Sequence, residues 1–225
     1  MRRVSSLYAS SVGKKIAMAV SGILLIAFVV GHMVGNLKVY QGREAFNHYA
    51  EGLRTFGAPF FGFGQLLWIV RIGLLAAVGI HVAAAFQLTL MSRRARRERY
   101  HRFDSLAFSY ASRTMFWGGV IIAAFVLYHL MHFTFGNVHP DFVRTDPYHN
   151  FIAGFRSVPV SIVYVAAMIP LGLHLYHGTW SLFQTLGASN PRYNAMRRPF
   201  AAALAFTVVA GNISFPVAVL AGWIG

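Results

Sequence analysis

Six of the ten histidines, His32, His81, His129, His132, His174 and His177, lie inside apolar runs with no acidic or basic side chain beside them. An ionisable ring at membrane depth is costly unless something satisfies it. Burial favours the neutral imidazole, and the neutral ring is the form that offers a lone pair to a metal. Two imidazoles from facing helices can close both axial positions of a haem iron, which then passes electrons and has no open position for oxygen chemistry. For one histidine taken alone, a helix–helix hydrogen bond or a proton relay is the plainer account. Histidines in four separate apolar runs favour ligation in pairs.

The elements that must position these rings are membrane spans. The stretch Ser21–Asn36, just after Lys14-Lys15, contains only His32 as an ionisable group and is long enough to cross a bilayer. The same reasoning gives five spans, at about 14–37, 60–91, 113–135, 158–186 and 199–223. The fifth holds no histidine. Pro170 predicts a kink in the fourth, and 38–58 and 136–156 read as polar loops. Composition agrees: 56% of residues are hydrophobic, 12% are charged, and the mean hydropathy is +0.53. The expected fold is an all-α, polytopic membrane protein, a single five-helix bundle enclosing two haems. The first run is too long for a signal-peptide core and lacks a small-x-small end, so it reads as a retained helix.

The absence of cysteine excludes disulfides, thiolate metal sites, iron–sulfur clusters and covalently attached haem. The net charge of +14 lies in short connections between spans, where it marks topology rather than a nucleic-acid partner. Fourteen of the 20 basic residues fall in the N-terminal lead and the second–third and fourth–fifth connections, which five spans place on one side. The positive-inside rule puts that side, and the N-terminus, in the cytoplasm. The basic run 93–102 reads as an orientation signal and solvated face that could also dock a cytoplasmic partner.

Depth follows from counting along each span. His32 is 17 residues past Lys15, and His129 and His132 are 16 and 19 past Arg113. At ~1.5 Å per residue, His32 and His129 lie roughly 25 Å from the inner boundary. His81 lies 12 residues before Arg93, while His174 and His177 lie 13 and 10 before Gly187. These come out at roughly 15–20 Å from the same boundary. The expected outer pair is His32 with His129 or His132, and the inner pair is His81 with His177 or His174. In each i, i+3 pair one ring would ligate and the spare would donate a hydrogen bond. Arg71 near the outer face, and Ser112 and Arg113 near the inner one, are candidate partners for haem propionates. His48, His101, His139 and His149 read as loop residues and not as ligands.

The motif Ser-Gly-x8-Gly-His-Met at 21–33 and Gly35-Asn36-Leu37 resemble the dihaem cytochrome b membrane anchor of the succinate dehydrogenase and quinol:fumarate reductase family. So do Gly119 with His129 ten residues on, and His174-Leu175-Tyr176-His177-Gly178 followed by Phe183-Gln184-Thr185-Leu186-Gly187. The resemblance covers nearly the whole chain. It implies His32, His81, His129 and His177 as ligands, first span with third and second with fourth, and two non-covalent haem b groups. It also implies a membrane quinone, menaquinone being the expected type. The implied partners are a flavoprotein subunit with FAD and an iron–sulfur subunit, in the bacterial cytoplasmic membrane, with a higher oligomer of the complex possible. Succinate chemistry would sit on the flavoprotein, since this chain has no dinucleotide motif. Some dihaem fumarate reductases carry an acid two residues before the fourth-span ligand. That position is Leu175 here, which favours the succinate-oxidising direction over its reverse. For the quinone, Asn36, Gln41, His48 and Glu51 are the polar candidates at the outer end of the first two spans. A haem-free anchor or scaffold is the rival from a different class.

Overall fold

The computed structural model describes residues 8–95, 110–188 and 190–225, with the side chains of 110–113 outside the description. Helix α1 (Ser11–Asn36) begins where the Ser10 hydroxyl accepts from the Gly13 N–H at 3.0 Å, and it runs into a 3-10 turn at Leu37–Gln41. There follow α2 (Arg43–Thr55), α3 (Gln65–Ala95) and α4 (Tyr110–His129), the last continuing as a π-helical segment at Leu130–Phe135. Then come α5 (Pro147–Arg156), α6 (Val158–Thr185), the single turn α7 (Pro191–Asn194) and α8 (Arg197–Leu220). No strand occurs among the described residues.

Five helical stretches are long and apolar enough to cross a membrane: Ser11–Gln41, Gln65–Ala95, Thr114–Phe135, Val158–Thr185 and Pro191–Leu220. They match the five expected spans. Helix is the form that satisfies every backbone N–H and C=O within one segment, which hydrocarbon requires. Large apolar side chains point outward along these helices, among them Leu127, Ile162 and Phe206. Helices α6 and α8 run unbroken through Pro170 and Pro216.

Packing is uneven. Helix α1 lies along α3, α4 along α6, and α6 along α8. The pairs α1–α4 and α3–α6, which carry the opposed histidines, are not among the closely packed ones. Several close crossings use missing side chains: a Cβ at Gly211 of α8 would overlap Met33 Sδ of α1, and one at Gly172 of α6 would lie 2.9 Å from Val209 Cγ2. The buried core gathers toward the C-terminal end of α8, where Met33, Phe151, Phe155, Tyr164, Val208 and Phe215 form one cluster.

The connection 38–58 is not an irregular loop: most of it is the amphipathic helix α2, whose polar face gives the sequence its loop-like composition. In 136–156 the stretch 136–146 is irregular, as expected, and the rest is the helix α5. Phe46, one buried residue of α2, packs edge-on to Phe151 of α5 at 5.6 Å between ring centres. Asp146 caps α5 by accepting from the His149 N–H at 3.0 Å, and Pro147 occupies the first turn, where its missing N–H costs nothing. The same carboxylate accepts from Asn47 Nδ2 at 2.9 Å and from the Arg43 guanidinium, which ties α2 to α5. Asn47 returns a bond by accepting from the Tyr148 N–H at 2.9 Å.

Burial pushes the Asp146 carboxyl up. The donors Asn47, the His149 N–H and Arg43 outweigh it and hold the group below its ordinary value. A carboxyl lowered by folding stabilises the fold above its unfolded value, about 3.9, and that stabilisation is lost as pH falls through the folded value. The clamp is therefore expected to be indifferent to pH between about 5 and 8 and to weaken only in acid below about 3.9. Asp146→Ala should cost about 1–2 kcal/mol at neutral pH, read as a lower thermal midpoint whose deficit shrinks in strong acid. An unchanged midpoint at pH 7 would mean that the clamp contributes nothing.

Candidate functional site: two histidine pairs

His32 on α1 and His129 on α4 meet edge to face, with ring centres 5.8 Å apart and planes at 85°. His81 on α3 and His174 on α6 meet at 6.0 Å and 61°. Two imidazoles bound to one metal through bonds of about 2 Å would have ring centres about 6 Å apart. Both pairs have ring centres at about that spacing, and both bridge helix pairs that do not otherwise pack closely. The pairing of first span with third and second with fourth is the one that depth alone had suggested.

His81 is the best prepared ring. Its Nδ1 lies 3.2 Å from the Met18 carbonyl and 3.3 Å from Ser21 Oγ. The carbonyl can only accept, so Nδ1 carries the proton and Nε2 keeps its lone pair. This is the tautomer in which a histidine ligates through Nε2. Ser21 in turn donates to the Ala17 carbonyl at 2.7 Å, and a Cβ at Gly22 would lie 3.4 Å from His81 Cε1, in ordinary contact with the ring. A Cβ at Gly31 or Gly178, beside His32 and His177, would meet nothing within 4 Å.

The spare rings divide differently. The resemblance had given His177 to His81, whereas the structure brings His174 beside His81 and sets His177 edge-on to Trp180 at 5.7 Å. Nδ1 of both His174 and His177 is buried without a hydrogen-bond partner. His132 is fully buried, stacks on His139 with ring centres 4.7 Å apart, and lies 3.0 Å through Nδ1 from the Tyr164 hydroxyl. Tyr164 was not singled out from the sequence, and His139 was read there as a loop residue and not a ligand. A tyrosine in an apolar span carries no local signal of its own, and the pairing shows only when buried rings are asked where their polar atoms go.

The polar candidates are scattered. The Asn36 amide lies 3.3 Å from His32 Nε2, one turn along the same helix, and would have to leave that nitrogen before it could hold a metal. Gln41 and His48 are exposed, and Glu51 pairs with Arg54 at 3.2 Å on the surface of α2. Among the described residues no hydrogen bond or ion pair joins these four. Arg71 is exposed and lies over the Trp68 ring at 5.0 Å. The side chains of Ser112 and Arg113, like Arg2, Arg3, His101 and the basic run from 96 to 102, lie outside the described residues.

Among the described residues, no group of three or more His, Cys, Asp or Glu gathers as a metal site. The donor chemistry of paired neutral imidazoles is compatible with a haem iron. An apolar cavity of about 660 Å³ opens between α4 and α6, with Phe125, Tyr128, Pro170 and His174 on its walls; it lies beside the pairs and not between them. Comparison with known proteins adds no likeness to set beside this geometry: no family model, no curated protein and no solved structure matches the chain.

Proposed function

We propose that this chain is the cytochrome b membrane anchor of a succinate:quinone oxidoreductase in the bacterial cytoplasmic membrane. The observation that carries the reading is the two imidazole pairs, at 5.8 and 6.0 Å, each bridging helices that otherwise stand apart. When bound, haem b supplies one-electron transfer through hydrocarbon that carries no charge by itself. His32 and His129 would hold the outer group, and His81 with His177 or His174 the inner one. The Met18 carbonyl and Ser21 orient His81, and the five apolar helices exclude water. The succinate-oxidising site belongs to a flavoprotein partner with FAD, joined through an iron–sulfur subunit on the basic, cytoplasmic side. The quinone, menaquinone by expectation, would react near the outer pair. The reverse direction, quinol to fumarate, uses the same residues, and Leu175 in place of an acid favours succinate oxidation.

A second reading, a haem-free anchor whose histidines serve packing, draws support from the hydrogen bonds that Tyr164 makes to His129 and His132. A dithionite-reduced-minus-oxidised spectrum with haem quantitation on the purified complex decides between them. Two b-type haems per chain are expected. None, in an intact complex supplied with haem, would leave the scaffold reading.

A further inference from the structure

One hydroxyl faces two rings at the outer pair. Tyr164 Oη lies 3.2 Å from His129 Nδ1 and 3.0 Å from His132 Nδ1. A hydroxyl has one proton to donate. With both rings neutral, the single hydroxyl proton can serve only one of them, so at least one ring must donate its Nδ1–H to the Tyr164 oxygen. When the hydroxyl proton goes to the other ring, both contacts are hydrogen bonds, all three polar atoms are satisfied, and the two histidines hold opposite tautomers. We propose that His129 is the donor and His132 the acceptor, which makes Tyr164 the positioning residue of the outer haem ligand and His132 a base behind it.

This inference rests on the haem-anchor reading. Given that reading, the chemistry selects the direction. His129 with its proton on Nδ1 has a free Nε2 lone pair and could ligate through that atom. In the reverse arrangement its Nε2 would carry the proton and could not bind iron. His132 then holds its proton on Nε2, an atom that is buried and has no hydrogen-bond partner.

The arrangement is built rather than incidental. Tyr164 is 8% exposed, and the rings of Phe125, Phe155 and Phe133 pack on it at 5.0, 5.0 and 5.8 Å. Its hydroxyl therefore has little freedom to seek other partners. His132 stands in the π-helical segment at Leu130–Phe135, a widened turn of the kind often found at functional sites. Room for its ring exists because residue 154 is glycine: a Cβ there would come within 2.9 Å of His132 Cε1.

A hydrogen-bond acceptor on the distal nitrogen of a ligating imidazole raises the basicity of the ligand and tunes the metal. Stronger donation to iron stabilises the ferric form, so removing the acceptor should raise the reduction potential. Tyr164→Phe in the intact complex removes the hydroxyl and keeps the ring. Two haems should remain, with the midpoint potential of one shifted upward, its low-spin resonance moved, and the other haem unchanged. His132→Leu should shift the same haem in the same direction by less, and His132→Gln, whose amide oxygen can accept from Tyr164, should restore it toward wild type. Unchanged potentials in Tyr164→Phe would overturn the proposal. So would loss of one haem in His132→Gln, since His132 would then be the ligand. Where Tyr164→Phe fails to assemble, the His132 pair decides: a shift in His132→Leu that His132→Gln reverses supports it, and equal potentials in both refute it. A wild-type complex without haem would instead sink the anchor reading, an outcome distinct from all of these.

Discussion

On the haem-anchor reading, His129→Ala in the assembled complex is expected to lose one of two b-type haems and to keep the other. The reason is geometric. His32 and His129 meet only each other across the outer gap, at 5.8 Å, while His81 and His174 meet across a separate one. Removing a single imidazole leaves an iron with one axial ligand from this chain, and His132, 3.0 Å from Tyr164 and packed against His139, is held away by those contacts. Haem content should fall by about half, and electron delivery to quinone should fall far more, because a wire with one station missing conducts poorly at any ligand affinity. His81→Ala should remove the complementary half. If His129→Ala retained both haems with unaltered spectra, the outer pairing would be wrong. If it lost both, the two gaps would have to fold as one unit.

The second large effect is expected at Gly154. Its Cβ would sit 2.9 Å from His132 Cε1 and 3.1 Å from His139 Nε2, against two stacked rings, one buried and one half-buried. His139 cannot retreat without cost, since its Nε2 bonds to the Asn150 carbonyl at 2.8 Å and its Nδ1 accepts from the Asp141 N–H at 3.0 Å. Overpacking of this sort typically costs about 1–3 kcal/mol, and more for a branched side chain. Gly154→Val should therefore lower the thermal midpoint of the purified complex well beyond what Asp146→Ala does, with Gly154→Ala between them. Equal midpoints for Gly154→Val and wild type would show that the stack yields freely.

These particulars indicate how much the sequence could reveal. The spans were legible because a charge-free run of this length has few other fates, and their boundaries fell within a few residues of the helices. Pairing α1 with α4 and α3 with α6 was legible because depth is a simple count along a helix of fixed rise. The side of the helix is a finer matter. His174 and His177 differ by only three residues, and an α-helix puts both near one face, so counting left the choice open. The helices α2 and α5 were missed because residues such as Arg43, Glu44, Asn47 and Glu51 outweigh the few apolar positions that dock them. The shared hydroxyl of Tyr164 was beyond reach, because it joins α4 to α6 through residues 35 apart in sequence.

Helix α3 has 31 residues, about 46 Å of helix against a hydrocarbon thickness of about 30 Å. Its two ends are moored. Arg71 lies over Trp68 at one end, and Arg93 lies over Phe116 of α4 at 5.6 Å at the other. The two cations are twenty-two residues apart, about 33 Å along the axis. That length makes α3 a gauge of bilayer thickness. A membrane of ordinary depth accepts it nearly upright, whereas a thinner one must swell locally or tip it. Because α1 lies against α3 and carries His32, tipping would tilt His32 and His81 together and alter their spacing along the membrane normal. Lipid chain length would then adjust the vertical distance between the two histidines.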